Sequence, residues 1–140
     1  MKTLQILKDT DIRIRESLDA VRILYKAFDG LDHEESWALY MNNTGKPIAA
    51  EMITCGTLTS TLMDRRRIVK KALLCDATAV ILYHNHPSGE PLPSSQDISQ
   101  TDELKKACAL FDISLLDHII IGDRCYFSFA DNSKHAIGKR

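Results

Sequence analysis

Two histidines, His84 and His86, stand one residue apart directly after an apolar run, ATAVILY. Side chains two residues apart in an extended backbone point to the same face, so both imidazoles can bind one metal ion where the strand ends. The next segment, PSGEPLPSS, is rich in residues that turn or restrict the chain, and it leads to Asp97. Two nitrogen ligands, one oxygen ligand and a fourth position for water are typical of a catalytic zinc centre.

A purely structural interpretation fits the second half of this stretch equally well. Ser94 and Asp97 stand three residues apart before an apolar periodic segment, which is the spacing of a helix N-terminal capping box. Ser94 would accept a hydrogen bond from the backbone amide of Asp97, and Asp97 would face the positive end of the helix. His-x-His pairs also arise by chance, so spacing alone leaves the metal site and the helix cap open.

The elements around the histidines are predicted from hydrophobic periodicity. The run Ala79–Tyr83 is continuously apolar and rich in β-branched residues, which indicates a strand covered on both faces and central in its sheet. A helix is expected to begin near Ser94, and the strand-like runs ISLLDHIIIG and RCYFSF follow it. That helix should turn these residues inward: Ile98, Thr101, Leu104, Cys108 and Phe111.

Three further elements precede the central strand. An amphipathic helix, capped by Asp9 or Asp11 and ending at Gly30, should bury Ile12, Ile14, Leu18, Val21, Leu24, Tyr25 and Phe28. A β-hairpin is predicted around the turn cluster at residues 42–46. A second helix, capped by Asp64, should carry Ile68, Val69, Ala72, Leu73 and Leu74 on one side. Its other side is mostly basic, with Arg65, Arg66, Arg67, Lys70 and Lys71.

This order of elements predicts one α/β layered domain with a mixed sheet, since 140 residues fit a single core and no repeat or linker interrupts them. Residues 1–33 are expected to form a packing or dimer element, and residues 34–140 the metal-binding domain.

Composition narrows the class of protein. The net charge of −1 gives no general attraction to nucleic acids or anionic membranes, and no window approaches the roughly 18 apolar residues of a membrane span. The N-terminus has charges where a signal peptide needs an apolar region, so a cytoplasmic location is expected. Four widely spaced cysteines without a Cys-x-x-Cys pair are expected to be reduced, buried thiols: Cys55, Cys75, Cys108 and Cys125.

A resemblance to a known family favours the metal site. His84-x-His86-Pro87, six residues and then Ser94-x-x-Asp97 match the signature of the JAMM or MPN+ metalloenzymes at every defined position. The words HNHPSGEPLPSSQD and LLDHIIIG, Gly56-Thr57-Leu58 after a strand, and a helix opening at Arg67 and Ile68 resemble the bacterial RadC branch of that family. The resemblance covers about residues 36 to 130.

The resemblance implies a three-layer α/β/α JAB/MPN fold, similar to that of cytidine deaminase, with one zinc ion bound by His84, His86 and Asp97. It also implies that Ser94 hydrogen-bonds near the attacking water and that a glutamate from an earlier strand is the general base. By position this base is predicted to be Glu51. Glu34 and Glu35 precede the first predicted strand and are poorer candidates.

The function that the resemblance implies is zinc-assisted hydrolysis of a peptide or isopeptide bond. Glu51 would move the proton from water to the leaving amine, and the Ser94 hydroxyl would stabilise the oxyanion. Asn85 should point to the opposite face and organise the loop. The other histidines, His33, His118 and His135, are expected not to be ligands, with His118 packed or hydrogen-bonded in its strand.

Two alternatives of another class remain. One is a DNA-associated module, because RadC-type proteins carry a DNA-repair label and the second helix is basic, although such a charge run is usually a solvated face. The other is a non-catalytic MPN scaffold. The presence of the complete set of site residues argues against it. An HNH nuclease is excluded because its motif residues are spread over a longer ββα unit and are not a contiguous triplet. A nucleobase deaminase is excluded because the Pro-Cys-x-x-Cys pattern is absent from this sequence.

Overall fold

The computed structural model of the protein describes residues 5–6, 12–55 and 64–138. Within them, one mixed sheet has seven strands in the order β1-β3-β2-β4-β5-β6-β7. The strands are β1 Gln5–Ile6, β2 Glu35–Met41, β3 Pro47–Cys55, β4 Ala79–Asn85, β5 Ser114–Ile121, β6 Cys125–Ser128 and β7 Ser133–Ala136. The helices are α1 Ser17–Leu24, α2 Arg65–Leu74 and α3 Ser95–Ala109, and a 3₁₀ turn, Tyr25–Phe28, continues α1.

Two apolar layers cover the two faces of the sheet, which confirms the predicted three-layer α/β/α fold. Alternation along the strands turns odd-numbered residues of β2 and β4 toward α1, and even-numbered residues toward α2 and α3. The α1 layer includes Trp37, Leu39, Ile81 and Tyr83. The opposite layer includes Ala38, Tyr40, Ile68, Val80, Leu82 and Leu104.

The central position of β4 is confirmed. This strand pairs antiparallel with β2 and parallel with β5, so both of its edges are hydrogen-bonded. Its apolar residues are buried on both faces, as the continuous run predicted. The hairpin is also confirmed: β2 and β3 are antiparallel, and the Asn42 side chain accepts hydrogen bonds from the Thr44 and Lys46 amides inside the turn.

The first helix begins later than predicted. It starts at Ser17, where the Asp19 carboxylate accepts hydrogen bonds from the amides of Arg15 and Glu16, and it ends near Gly30 as expected. The Ile14 amide instead donates to the Gly45 carbonyl of the hairpin turn, so residue 14 is not helical. The other expected caps, Asp9 and Asp11, lie outside the described residues, as does Gly56-Thr57-Leu58.

Several burial predictions were wrong. Ile98 is 53% exposed because it lies on the flank of α3 beside the stripe formed by Thr101, Leu104 and Cys108, and Phe111 follows the end of the helix. Leu73 and Leu74 end α2 with their side chains in solvent, although its Asp64 cap is as predicted. Cys108 is a buried thiol, but Cys75 and Cys125 are only half-buried, and the Cys55 side chain is outside the described set. The strands β1 and β7 were not predicted.

No described helix has the length and apolar character to cross a membrane.

Candidate metal centre

His84 and His86 lie where β4 ends, on the face of the sheet that packs against α2 and α3. The parallel ladder with β5 extends past β4, because the His86 amide donates to the Ile121 carbonyl at 3.0 Å. The positions of both histidines are therefore fixed by backbone hydrogen bonds to a buried neighbouring strand. Asn85 between them points to the opposite face, as predicted.

The loop after His86 turns back by bonding to the β5–β6 turn. The Gly89 amide donates to the His86 carbonyl at 2.9 Å, and the Gly89 carbonyl accepts from the Asp123 amide at 2.9 Å. Gly89 has φ +97°, a left-handed conformation that favours glycine. Gly122 also lies against this loop, where a Cβ atom would overlap the Gly89 carbonyl oxygen. This close approach directs the chain toward the start of α3.

Ser94 caps α3 and places Asp97 at the histidines. The Ser94 hydroxyl accepts from the Asp97 amide at 3.0 Å, and Asp97 Oδ2 accepts from the Ser94 amide at 2.9 Å. This is the capping box that the spacing suggested. The same carboxylate faces the imidazoles, so the cap and the candidate metal site coexist.

Three side chains converge at this point: His84, His86 and Asp97. The distance from His84 Nε2 to Asp97 Oδ1 is 3.4 Å, and that from His86 Nε2 to Asp97 Oδ2 is 3.3 Å. The two Nε2 atoms are 3.1 Å apart. Among the described residues, no other group of three His, Cys, Asp or Glu side chains comes together in this way.

The outer nitrogens of both imidazoles are engaged elsewhere. His86 Nδ1 lies 2.9 Å from the Glu90 carbonyl oxygen, which can only accept, so Nδ1 carries the proton. His84 Nδ1 lies 2.7 Å from Nε2 of His118. In the tautomers with a proton on both Nδ1 atoms, two Nε2 lone pairs and the Asp97 carboxylate face one another. That set of acceptors could bind a metal ion, and two imidazole nitrogens with one carboxylate oxygen fit zinc.

The charges of the cluster favour a positive ion in the same place. A hydrogen bond to Asp97 raises the pKa of His86, although burial opposes the shift. Burial alone would raise the pKa of Asp97, but hydrogen bonds from His84 and His86 hold it well below its usual range. Asp97 is therefore an anion that attracts a proton or a metal ion to the two Nε2 atoms.

The structure does not bring Glu51 into this cluster. Glu51 is buried on β3, where Tyr40 Oη donates to it at 3.2 Å and Arg67 Nη2 pairs with it at 3.2 Å. Glu51 lies on the same face of the sheet as His84 but two strands away. Across the sheet it is level with Leu82 and not with His84. Strand spacing puts the Cα atoms of Glu51 and His84 roughly 12 Å apart.

Glu34 lies much closer to the histidines. The β2–β4 pairing ends with Ser36 opposite His84; Glu34 lies two residues before Ser36, and His86 lies two residues after His84. The Asn85 side chain joins the two segments beyond the pairing, because its Oδ1 accepts from the Glu35 amide at 2.8 Å and its Nδ2 donates to the His33 carbonyl at 3.0 Å.

The electrostatics and exposure of Glu34 agree with this placement. The hydrogen bond with Asp97 is the main cause of the raised pKa of His86, and the charge of Glu34 makes a small further contribution. The Glu34 side chain is exposed, so its carboxylate is open to water. The sequence ranked Glu34 below Glu51 because Glu34 precedes the first predicted strand, and its position near His86 depends on the antiparallel pairing of β2 with β4.

The remaining histidines have other partners. His118 is buried and hydrogen-bonded in β5, as predicted, and its partners are His84 and Thr101. His33 bonds to Asp32 and Glu35, and His135 bonds to Asp131. What the sequence did not reveal is that His118 contacts one of the candidate ligands directly.

A groove of about 260 Å³ opens beside His86 toward the α1 side of the sheet. Its wall includes the 3₁₀ turn after α1, the loop that follows His86 and the β5–β6 turn, with Tyr25, Asp29, Asn85 and Arg124 among its residues. His86 therefore belongs both to the wall of the groove and to the cluster.

Comparison with known proteins gives one consistent result. Residues 14–134 match the family described as RadC-like JAB domain. A UPF0758 protein of Flavobacterium johnsoniae is 40% identical over 119 residues, which cover 85% of this chain and 52% of the relative. A UPF0758 protein of Porphyromonas gingivalis is 44% identical, covering 84% and 54%. UPF0758 protein YfjY of Escherichia coli is 40% identical, covering 90% and 79%. The chain spans about half the length of the first two relatives.

Proposed function

The chain belongs to the RadC-like JAB domain family, and we propose that it is a zinc-dependent hydrolase of peptide or isopeptide bonds. The observation that carries the proposal is the convergence of two imidazole Nε2 atoms and one carboxylate at the end of a buried strand.

His84, His86 and Asp97 would hold the metal, and three protein ligands leave a position for water. Zinc in such a site supplies a Lewis acid, which lowers the pKa of water toward about 7 and polarises a carbonyl group. The Ser94 Oγ already accepts from the Asp97 amide, so its hydroxyl proton remains for the oxyanion of the substrate. The groove beside His86 would receive the chain on one side of the scissile bond.

The general base is the role on which sequence and structure differ. Glu51 is held by Tyr40 and Arg67, and leaving them would break a buried ion pair. Glu34 is exposed, and its charge, after the larger effect of the Asp97 hydrogen bond, contributes to the raised pKa of His86, so its carboxylate lies near that imidazole. We therefore assign to Glu34 the transfer of the water proton to the leaving amine, with Glu51 as the competing assignment.

The first experiment measures zinc in purified protein. The wild type should retain about one zinc per chain, and the double variant His84→Ala/His86→Ala should retain none. His33→Ala and His135→Ala are matched controls outside the cluster, and they should bind as the wild type does. Equal zinc in the wild type and the double variant would sink the assignment.

The second experiment is a substrate screen with peptide and isopeptide libraries, followed by two glutamine variants. Glu34→Gln should keep its zinc and lose at least about 100-fold in kcat, since general bases contribute factors of 10² to 10⁴. Glu51→Gln should keep most activity. The reverse result would return the base to Glu51, and a screen without cleavage by zinc-loaded protein would favour the scaffold alternative.

The DNA-associated alternative has weaker support in the contacts of α2. Arg65 pairs with Glu103, and Arg67 pairs with Glu51, so two of the five basic residues have acidic partners. We propose a cytoplasmic setting, which suits the free thiols Cys75, Cys108 and Cys125. A homodimer is retained as a proposal, which sedimentation of the purified chain would test.

A further inference from the structure

A continuous chain of hydrogen bonds runs behind His84, on the side away from the convergent Nε2 atoms. His84 Nδ1 lies 2.7 Å from His118 Nε2, and His118 Nδ1 lies 2.6 Å from Thr101 Oγ1. The Thr101 hydroxyl reaches the carbonyl oxygen of Asp97 at 2.6 Å. His118 is 2% exposed, and Thr101 is 9% exposed. The chain therefore begins at one candidate ligand and ends at the backbone of another.

The direction of each hydrogen bond follows from its last acceptor. The Asp97 carbonyl can only accept, so Thr101 donates its proton there and accepts from His118 Nδ1. A neutral His118 with its proton on Nδ1 has a lone pair on Nε2, and it accepts from Nδ1 of His84. His84 then carries its proton on Nδ1 and its lone pair on Nε2. Burial lowers the pKa of His118 well below its usual range, which agrees with the neutral ring.

We propose that His118 and Thr101 are positioning residues that hold His84 in the Nδ1–H tautomer, with its Nε2 lone pair aimed at the metal position. The inference rests on the proposed function in that it assumes a metal at the cluster. The partner of a ligating histidine is usually a carboxylate, carbonyl or water, whereas here a second histidine fills that place.

Simple packing is the competing explanation for His118. Its ring stacks on Phe129 with centroids 4.6 Å apart and an interplanar angle of 6°, so substitution could act through lost stacking alone. A discriminating variant has to keep the ring or its shape and remove only the hydrogen bonds. Thr101→Val does this at the far end of the chain, because valine is close in shape to threonine and has no hydroxyl. His118→Phe does it at the near end and keeps an aromatic ring beside Phe129.

The experiment reads the tautomer of His84 by ¹⁵N NMR of metal-free protein, at a pH where the imidazoles are neutral. In the wild type the proton should be on Nδ1. In His118→Phe it should move to Nε2, and zinc affinity should fall about 10–100-fold, as for lost partners of metal ligands elsewhere. Thr101→Val should shift the tautomer populations in the same direction and weaken zinc binding by a smaller factor.

His118→Gln provides a rescue, because its amide oxygen can accept from His84 and its amide nitrogen can donate to Thr101. It should restore the Nδ1–H tautomer and recover zinc affinity relative to His118→Phe. The proposal is overturned if His84 keeps the Nδ1–H tautomer in both His118→Phe and Thr101→Val. Thr101→Val alone decides the matter if His118→Phe does not fold. Wild-type protein without zinc affinity would instead overturn the proposed function, and the tautomer measurement on metal-free protein distinguishes the two failures.

Discussion

Asp97 and Glu51 are acidic side chains on the same face of the sheet, and their surroundings differ in which atoms carry protons. The Glu51 oxygens face the Tyr40 hydroxyl and the Arg67 guanidinium, both of which are donors. In the Nδ1–H tautomers, the Asp97 oxygens face two imidazole nitrogens without protons, because the ring protons are donated on the far side to Glu90 and His118.

We propose that this difference separates a structural carboxylate from one that binds a metal ion. Burial does not separate them, because Glu51 is the more deeply buried of the two. Structural clusters match each acceptor with a donor, whereas a metal site gathers acceptors and leaves the positive charge to the ion. The contrast therefore predicts opposite responses of the two sites to replacement of a carboxylate by an amide.

The largest expected effect is that of Asp97→Asn on zinc binding. The amide nitrogen would donate to a histidine lone pair, and Oδ1 could still accept from the Ser94 amide, so the helix cap would be retained. Zinc affinity should fall by at least about 100-fold, because a direct ligand contributes more than its hydrogen-bonded partners. Competition with a chromophoric chelator measures the affinity, and Glu51→Gln is the matched control. Similar losses in both variants would remove the distinction between the two carboxylates.

The loop that delivers Asp97 gives the next largest effect. A Cβ atom at Gly122 would overlap the Gly89 carbonyl oxygen, and that oxygen accepts from the Asp123 amide. Gly122→Ala should therefore lower the free energy of unfolding by about 1–3 kcal/mol and weaken zinc binding. Gly138→Ala is the control, since a Cβ there has no atom within 4 Å. Chemical denaturation measures the stability of both variants. Equal stabilities of the two variants would show that the loop accommodates the added methyl group without loss of stability.

Removal of one charge at Glu51 should cost less. In Glu51→Gln, Tyr40 can still donate to the amide oxygen, and Arg67 loses an anionic partner but is 40% exposed and regains water. The free energy of unfolding should fall by about 1–2 kcal/mol, below the loss for a fully buried pair. Urea denaturation measures the change, and Arg67→Gln should produce a larger loss, because it leaves the buried Glu51 carboxylate without its cationic partner. A loss confined to zinc affinity would contradict the structural role of Glu51.

The candidate ligands could be predicted from sequence because their relations are local. A period of two aligns His84 with His86, and the three-residue spacing of a capping box fixes Ser94 and Asp97 at the start of α3. Local periodicity also predicted β4 and the hairpin, and it failed at residues 12–16, where the Ile14 amide bonds to the distant Gly45.

The contacts between strands could not be predicted in this way. Glu34 lies near His86 because β2 pairs with β4, and His118 reaches the site through the parallel register that pairs it with Leu82. Strand order and register depend on the whole sheet and not on the spacing of a motif.

Asp117 offers the test with the smallest expected effect. It is a buried carboxylate, and its hydrogen-bond partners among the described residues are all donors. Its oxygens accept from the amides of His118 and Ala130 and from the Ser128 hydroxyl. Burial nevertheless raises its pKa above the ordinary 3.8. Between pH 3.8 and the higher pKa of the folded state, the folded protein binds more protons than the unfolded chain. The contribution of Asp117 to stability is therefore present at low pH and is lost as the pH rises through the folded pKa.

This contribution is absent in Asp117→Asn. The stability of the variant relative to that of the wild type should therefore increase as the pH rises above about 4. One proton limits the slope to about 1.4 kcal/mol per pH unit. Urea denaturation of both proteins with chelator present makes the measurement, and the shared Asp97 cluster cancels in the difference. If the stability of the variant relative to the wild type decreased instead, the three hydrogen bonds to Asp117 would outweigh its burial. The pKa of Asp117 would then be lowered, like that of Asp97, although Asp117 already has donors for its oxygens and needs no cation.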